Sequence, residues 1–189
     1  MKKKIVLVDM DGVLCQYDAH LLMLAHTHLG LPLHKADEVA NFNTEELFEV
    51  EYRDRIDALA NKEGFFKDLE PFPHAVQALH EMAHDPRLVV FICTAPKKFY
   101  KNSFCAGEKH HWIATHLGKE WTERVILTRD KTLIHGDVLI DDKPTVSGNI
   151  TPSWTHVYYD RPYNRVQDKP RITSWSRWKE ELLPVLAYT

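Results

Sequence analysis

The chain has 189 residues, 44% of them hydrophobic and 27% charged, which is typical of a folded globular domain with room for a small insert. Its formal net charge of -3 gives no electrostatic reason to bind duplex nucleic acid or a membrane, and no apolar run approaches the roughly 20 residues of a membrane span. Three cysteines, Cys15, Cys93 and Cys105, cannot form a complete disulfide set, so we expect buried thiols in a cytoplasmic protein.

Five short apolar runs predict the strands of a parallel sheet. Runs without polar alternation are typical of strands buried on both faces. These runs cover residues 5–8, 88–93, 125–127, 138–140 and 156–159, and helical patterns at 75–83 and 109–117 lie between them. Strands that alternate with helices of this length predict an α/β fold with a doubly wound, Rossmann-like parallel sheet.

The connection after the first strand is unusually long. Residues 17–73 show helical periodicity, with one helix opening at 21–24 and another at 45–59, and no strand pattern. Connections of this length are usually functional, often as covers of an active site. We therefore predict a core formed by residues 1–15 and 75–189 and a small helical cap formed by 16–74. A polar connection at 160–171 and a terminal helix around 175–186 complete the prediction.

Polar side chains follow four of the predicted strands, at the sheet edge where open α/β folds bind ligands. Carboxylate oxygens suit Mg²⁺, whereas a hydroxyl and an ammonium group can balance the charge of a phosphate. This combination predicts a magnesium-dependent site for a phosphate ester. In chain order the residues are Asp9, Asp11 and Gly12, then Thr94 and Ala95, then Lys131, and finally Asp141 and Asp142.

The first pair of carboxylates has the spacing that phosphoryl transfer needs. Positions i and i+2 of an extended strand share one face, so Asp9 and Asp11 can flank one phosphate, and Gly12 permits the tight turn that follows. One carboxylate can attack phosphorus while the other protonates the leaving oxygen. Asp9 and Asp142 are candidate Mg²⁺ ligands, and a backbone carbonyl near Asp11 is a third.

The residues 9–13, Asp-Met-Asp-Gly-Val, resemble the signature of the haloacid dehalogenase (HAD) superfamily of phosphatases, and Thr94, Lys131 and the pair Asp141-Asp142 follow in the order of its other motifs. Longer stretches resemble the 5'(3')-deoxyribonucleotidase family. They are GFFKDLEP at 64–71, VFICTAP at 90–96, ILTRDKT at 126–132, LIDDKP at 139–144 and TPSW at 151–154.

This resemblance implies a role for each matching position. Asp9 would be the nucleophile and a metal ligand, and Asp11 the general acid–base, with its carbonyl as a further ligand. Asp142 would bind the metal, and Asp141 would contact the metal ligands without binding the metal itself. The phosphate-binding residues would be Asp11, Thr94, Ala95 and Lys131.

The resemblance also implies that cap aromatics close over the nucleobase, which suggests Tyr17 and Phe42. A tryptophan often found before the Gly-Phe-Phe stretch in this family has no clear counterpart, since its position falls near Ala60. This departure leaves the preferred base open.

The leading hypothesis is a Mg²⁺-dependent 5'(3')-deoxyribonucleotidase that forms an aspartyl phosphate. The alternatives are a HAD phosphatase for a sugar phosphate or a polynucleotide end, and a receiver-like phosphate-binding domain without enzyme activity. The expected partner is a small nucleotide, with no duplex nucleic acid and no membrane, and the sequence leaves the oligomeric state open, a homodimer included. Cys105, His110 and His111 match no compact zinc spacing.

Overall fold

The computed structural model describes residues 2–188. Its centre is a sheet in which every pair of neighbouring strands is parallel. The strands are β1 (Lys4–Val8), β2 (Leu88–Thr94), β3 (Val125–Leu127), β4 (Val138–Asp141), β5 (Thr155–Tyr159) and β6 (Arg171–Ile172). Their order across the sheet is β3-β2-β1-β4-β5-β6, so the first strand of the chain lies in the middle of the sheet.

Both faces of the central strand are buried. Val6 and Val8 belong to the larger hydrophobic cluster on one face, whereas Leu7 packs with Cys93 and Leu139 on the other. None of these five side chains is accessible to solvent. This double burial explains why the strand sequences are apolar at consecutive positions.

Within residues 2–188, five α-helices accompany the sheet. A helix that packs on a sheet needs one apolar face. In α3 the buried residues recur at helical spacing, and this face packs against β2; they are Ala75, Ala78, Leu79 and Met82. The helices are α1 (Tyr17–Leu29), α2 (Val50–Leu59), α3 (Ala75–His84), α4 (Cys105–His116) and α5 (Trp178–Ala187). The predicted α/β fold with a parallel sheet is confirmed.

The long segment after β1 is helical. It contains α1, two short 3-10 helices at Ala36–Glu38 and Thr44–Leu47, and α2, and the described chain has no strand between residues 16 and 74. Its two ends lie side by side, because Gln16 donates its backbone N–H to Glu70 and Phe72 donates to Leu14. The division of the chain into a core and a cap at residues 16–74 stays a prediction.

Two local predictions were wrong. The pattern at 45–59 is not one helix, because Phe48 is extended (φ -109°, ψ 162°) and separates the 3-10 helix from α2. The connection at 160–171 is not simply a polar surface crossing either. It holds a buried 3-10 helix, Pro162–Asn164, and leads into β6, which pairs with β5.

The three cysteines are buried free thiols, as expected. Among residues 2–188, no helix combines the length and the apolar character that a membrane span needs.

Candidate active site

The carboxyl ends of the central strands meet at one cavity of about 350 Å³. Val8 is in register with Ile92 of β2 and with Ile140 of β4, so the residues that follow these positions share one edge of the sheet. The structure brings all the predicted site residues to the wall of this cavity. They are Asp9, Asp11, Tyr17, Phe42, Thr94, Ala95, Lys131, Asp141 and Asp142.

Lys131 bridges two of the carboxylates. Its Nζ lies 2.7 Å from Asp9 Oδ1 and 2.6 Å from Asp141 Oδ2, and its side chain is almost fully buried. Burial alone would lower the pKa of Lys131, but Asp141 and Asp9 outweigh it and raise the pKa above its usual range. Asp130 caps the short helix that starts at Lys131 by accepting the backbone N–H of Thr132 at 3.0 Å. This N-cap fixes the start of the helix and thereby the position of the Lys131 side chain.

Lys109 is a second buried lysine at the site and belongs to none of the sequence motifs. Its Nζ donates to Asp11 Oδ2 at 2.7 Å, Thr94 Oγ1 at 2.8 Å and the Ala95 carbonyl at 3.0 Å. It lies on α4 rather than after a strand, and its side chain has no exposure to solvent. The available signal was its position on the buried helical stripe with Cys105 and Trp112, where an unpaired lysine would be very costly.

The two carboxylates of the first motif are therefore held by different lysines. Burial raises the pKa of Asp9, with Lys131 opposing the shift, and burial raises the pKa of Asp11, with Lys109 opposing it. A raised pKa suits a carboxyl group that must deliver a proton near neutral pH. Asp9 and Asp11 thus both have raised pKa values, and each has its own ammonium partner.

Three carboxylates form a cluster that fits a divalent cation. Asp9, Asp141 and Asp142 each place one oxygen within 4.8 Å of the others, and all three residues are buried. Burial raises the pKa of Asp142 well above its usual value, and the negative charges of Asp141 and Asp9 raise it further. Hard oxygen ligands with this mutual repulsion are the donor set that Mg²⁺ prefers. Asp141 is already engaged by Lys131 and by the backbone N–H of Lys143 at 2.9 Å.

The predicted cap aromatics differ in exposure. Tyr17 packs edge-on against Phe65, with ring centroids 5.2 Å apart, and forms part of the cavity wall. Phe42 is 43% exposed and contacts Tyr163 edge-to-face at 5.7 Å. Ala60 is buried and is absent from the cavity wall, so no aromatic side chain comes from that position.

Ion pairs connect α2 to the loop that follows β2. Asp57 lies 3.4 Å from Lys97 Nζ and 2.9 Å from Lys101 Nζ. The ammonium of Lys97 also lies 5.8 Å from the ring centroid of Tyr17. Because Asp57 and Lys97 both line the cavity, this contact closes one side of the site.

Sequence comparison identifies the family. A family model described as "5' nucleotidase, deoxy (Pyrimidine), cytosolic type C protein" matches residues 3–187. The human cytosolic-type 5'(3')-deoxyribonucleotidase is 42% identical over 187 residues, covering 94% of this chain and 92% of its own. The mouse mitochondrial 5'(3')-deoxyribonucleotidase is 36% identical over 184 residues, covering 92% of this chain and 83% of its own.

Solved structures show the same fold at low identity. A HAD family hydrolase from Deinococcus radiodurans, with bound phosphate and sodium, superposes with a TM-score of 0.59 at 14% identity, covering 97% of this chain and 96% of its own. A Bacillus subtilis protein of the HAD-hydrolase type, bound to magnesium, gives a TM-score of 0.57 at 9% identity, covering 97% of this chain and 100% of its own.

Proposed function

This chain belongs to the 5'(3')-deoxyribonucleotidase family, phosphatases that act on deoxyribonucleoside monophosphates, and we propose that it works through an aspartyl phosphate on Asp9 with Mg²⁺ as its cofactor. The observation that carries the proposal is the pairing of each motif carboxylate with its own buried lysine, Asp9 with Lys131 and Asp11 with Lys109. Because each carboxylate has its own lysine, Asp9 can serve as the nucleophile while Asp11, two residues later, carries the proton.

In the first step Asp9 attacks phosphorus in line with the leaving oxygen. A bond forms between a carboxylate oxygen of Asp9 and phosphorus, and the bond between phosphorus and the sugar oxygen breaks. Asp11 gives its proton to the departing oxygen, which leaves as the hydroxyl of a deoxyribonucleoside. Lys131 and the hydroxyl of Thr94 stabilise the charge on the phosphoryl oxygens as it shifts.

In the second step the aspartyl phosphate is hydrolysed. Asp11, now ionised, takes a proton from a water molecule, and the water oxygen forms a bond to phosphorus. The bond between phosphorus and the Asp9 oxygen breaks, so inorganic phosphate leaves and Asp9 is again a carboxylate. Lys109 contacts Asp11 at 2.7 Å and offsets its charge while it is ionised. General acid–base assistance of this kind is typically worth about 10²- to 10⁴-fold in rate.

The metal would be held by the carboxylates of Asp9 and Asp142 and by the backbone carbonyl of Asp11. When bound, Mg²⁺ would neutralise phosphate charge and lower the repulsion that a nucleophilic carboxylate meets. Asp141 contacts Lys131 at 2.6 Å and would hold that lysine beside Asp9.

The cap residues would select the rest of the substrate. Phe42 offers an exposed ring at the cavity wall, and Tyr17 supports the wall beside it. Stacking against an aromatic ring suits any nucleobase, so we propose that the base is held by Phe42. Closure of this segment would also exclude bulk water from the aspartyl phosphate.

A phosphate-release assay tests the reaction and the substrate class. We expect dUMP or dTMP to be turned over far faster than sugar phosphates, with activity lost in EDTA and recovered with MgCl₂. Asp9→Asn should abolish turnover, whereas the matched surface substitution Asp168→Asn should not. Higher activity on sugar phosphates would contradict the substrate class, and unchanged activity of Asp9→Asn would contradict the nucleophile.

We also propose that the protein acts in the cytoplasm, supported by its 42% identity to a cytosolic-type relative. A homodimer stays a prediction, and sedimentation velocity would measure the oligomeric state.

A further inference from the structure

The 3-10 helix Pro162–Asn164, which follows β5, holds Asp142 in two ways. The hydroxyl of Tyr163 donates a hydrogen bond to Asp142 Oδ2, and the side-chain amide of Asn164 donates to the Asp142 backbone carbonyl at 2.8 Å. Asn164 also donates to the carbonyl of Tyr159 at 2.9 Å and has no exposure to solvent. One short segment therefore fixes both the backbone and the carboxylate of Asp142.

The same hydroxyl lies against the first motif. Gly12 has a φ of +74°, and a Cβ at this position would overlap Asp142 Oδ2 and lie 3.3 Å from Tyr163 Oη. The absence of a side chain at Gly12 thus makes space for the hydrogen-bonded pair as well as for the turn. Contact on this side leaves the Asp142 carboxylate little freedom to rotate.

The ring of Tyr163 faces the cap. It meets Phe42 edge-to-face at 5.7 Å, with an angle of 89° between the ring planes. Behind it, the Arg161 guanidinium lies 5.9 Å from the Tyr163 ring centroid and pairs with Asp18 at 2.5 Å. Asp18 in turn accepts the hydroxyl of Thr44 at 2.7 Å, two residues from Phe42. The contacts run without a gap from Asp142 to the cap aromatic.

We propose that Tyr163 is a positioning residue with two separable roles: its hydroxyl orients Asp142 as a metal ligand, and its ring supports Phe42 over the nucleobase. The inference rests on the proposed function, because it takes Asp142 as a ligand and Phe42 as a base contact. Partners that orient the ligands of a metal typically change its affinity by about 10- to 100-fold when they are removed.

Two substitutions separate the roles. Tyr163→Phe removes only the hydroxyl, so we expect the Kd of the nucleotide-free protein for Mn²⁺, measured by electron paramagnetic resonance, to rise about 10-fold. At saturating metal, its KM for dUMP should stay close to the wild-type value because the ring remains. Phe42→Leu should do the opposite, raising KM and leaving the Mn²⁺ Kd unchanged.

Tyr158→Phe is the matched control. Tyr158 is fully buried, and its hydroxyl donates to the carbonyl of Pro144 at 2.5 Å. Removing this hydroxyl also removes one hydrogen bond, but it leaves the contacts of every carboxylate unchanged. If Tyr163→Phe binds Mn²⁺ as the wild type does, or if Tyr158→Phe weakens binding equally, the positioning role is wrong. Because the Mn²⁺ measurement needs no turnover, a protein without nucleotidase activity would contradict the proposed function while leaving this test intact.

Discussion

At the scale of single residues, the site depends on two lysines that differ in how visible they are in the sequence. Lys131 follows β3 and could be predicted from the position of that strand end. Lys109 lies in α4 and reaches Asp11 and Thr94 from that helix, so its role depends on tertiary packing. The same holds for Tyr163, which lies in a connection that looked like polar surface.

Lys109→Gln tests whether the charge of Lys109 assists Asp11, the proposed proton carrier. We expect kcat to fall about 100-fold, because Asp11 would lose the charge that offsets its ionised form in the second step. The variant should be assayed below its unfolding temperature, since breaking a buried ion pair also costs about 3 to 5 kcal/mol of stability. Lys119→Gln, at an exposed position, is the control, and equal activity of the two variants would refute the role of Lys109.

His156 makes stability depend on pH. It lies in β5, is buried with Nε2 unpartnered, and its burial lowers its pKa to about 4 from the usual value near 6.5. Between these values the unfolded chain binds a proton that the folded chain does not, so stability falls as pH falls from 6.5 towards 4.

The His156→Gln variant should lack this loss, which reaches about 3 kcal/mol for the wild type below the folded-state pKa. Urea unfolding of both proteins across the pH window measures the difference. His111→Gln, at an exposed position, should keep the wild-type dependence. Parallel pH curves for wild type and His156→Gln would show that His156 does not cause it.

At the scale of elements, the apolar strands and the helices with one apolar face were predictable, whereas breaks set by distant contacts were not. The pattern at 45–59 reads as one helix, but Phe48 turns out to pack its ring against His34 at 5.2 Å, and its carbonyl accepts Arg53 Nε at 3.0 Å. β6 has two residues, too few for a periodic signal, and exists because Tyr158 and Tyr159 offer it an edge.

The ion pair between α1 and the segment after β5 joins two elements far apart in sequence. Asp18 and Arg161 are both buried, so removing one partner leaves an uncompensated charge. Asp18→Asn and Arg161→Met should each lower the free energy of unfolding by about 3 kcal/mol, and the double variant should lose less than the sum. Chemical denaturation of the four proteins measures the coupling, and strict additivity would argue against a direct pair.

At the scale of the whole molecule, the strand order brings distant segments to one cavity. The order of the motifs along the sequence was enough to predict which groups meet, because parallel strands place their carboxyl ends together. It could not predict how residues 16–74 face them. Phe42 and Tyr163 contact each other from segments without a periodic pattern, and Asp57 of α2 pairs with Lys97 of the loop that follows β2.

Metal binding should stabilise the whole fold. The three clustered carboxylates repel one another, and a cation bound only by the folded chain at 100 times its Kd adds about 2.7 kcal/mol. We expect Tm to be higher in MgCl₂ than in EDTA.

Asp142→Asn should remove this difference and raise the Tm measured in EDTA, because one of the repelling charges is gone. Differential scanning calorimetry of both proteins in both buffers tests this. An Asp142→Asn protein that is still stabilised by MgCl₂ would argue against Asp142 as a ligand.

The central position of β1 also affects how the protein is made. This strand precedes the other five in the chain, and its neighbours in the sheet begin only at Leu88 and Val138. At about 5 to 20 residues per second, a ribosome leaves the apolar β1 without a partner for roughly 5 to 20 s. Helices α1 and α2 emerge during that interval. Because α1 follows β1 directly and buries Leu21 and Leu22 in the same hydrophobic cluster as Val6, we expect α1 to shield the nascent strand.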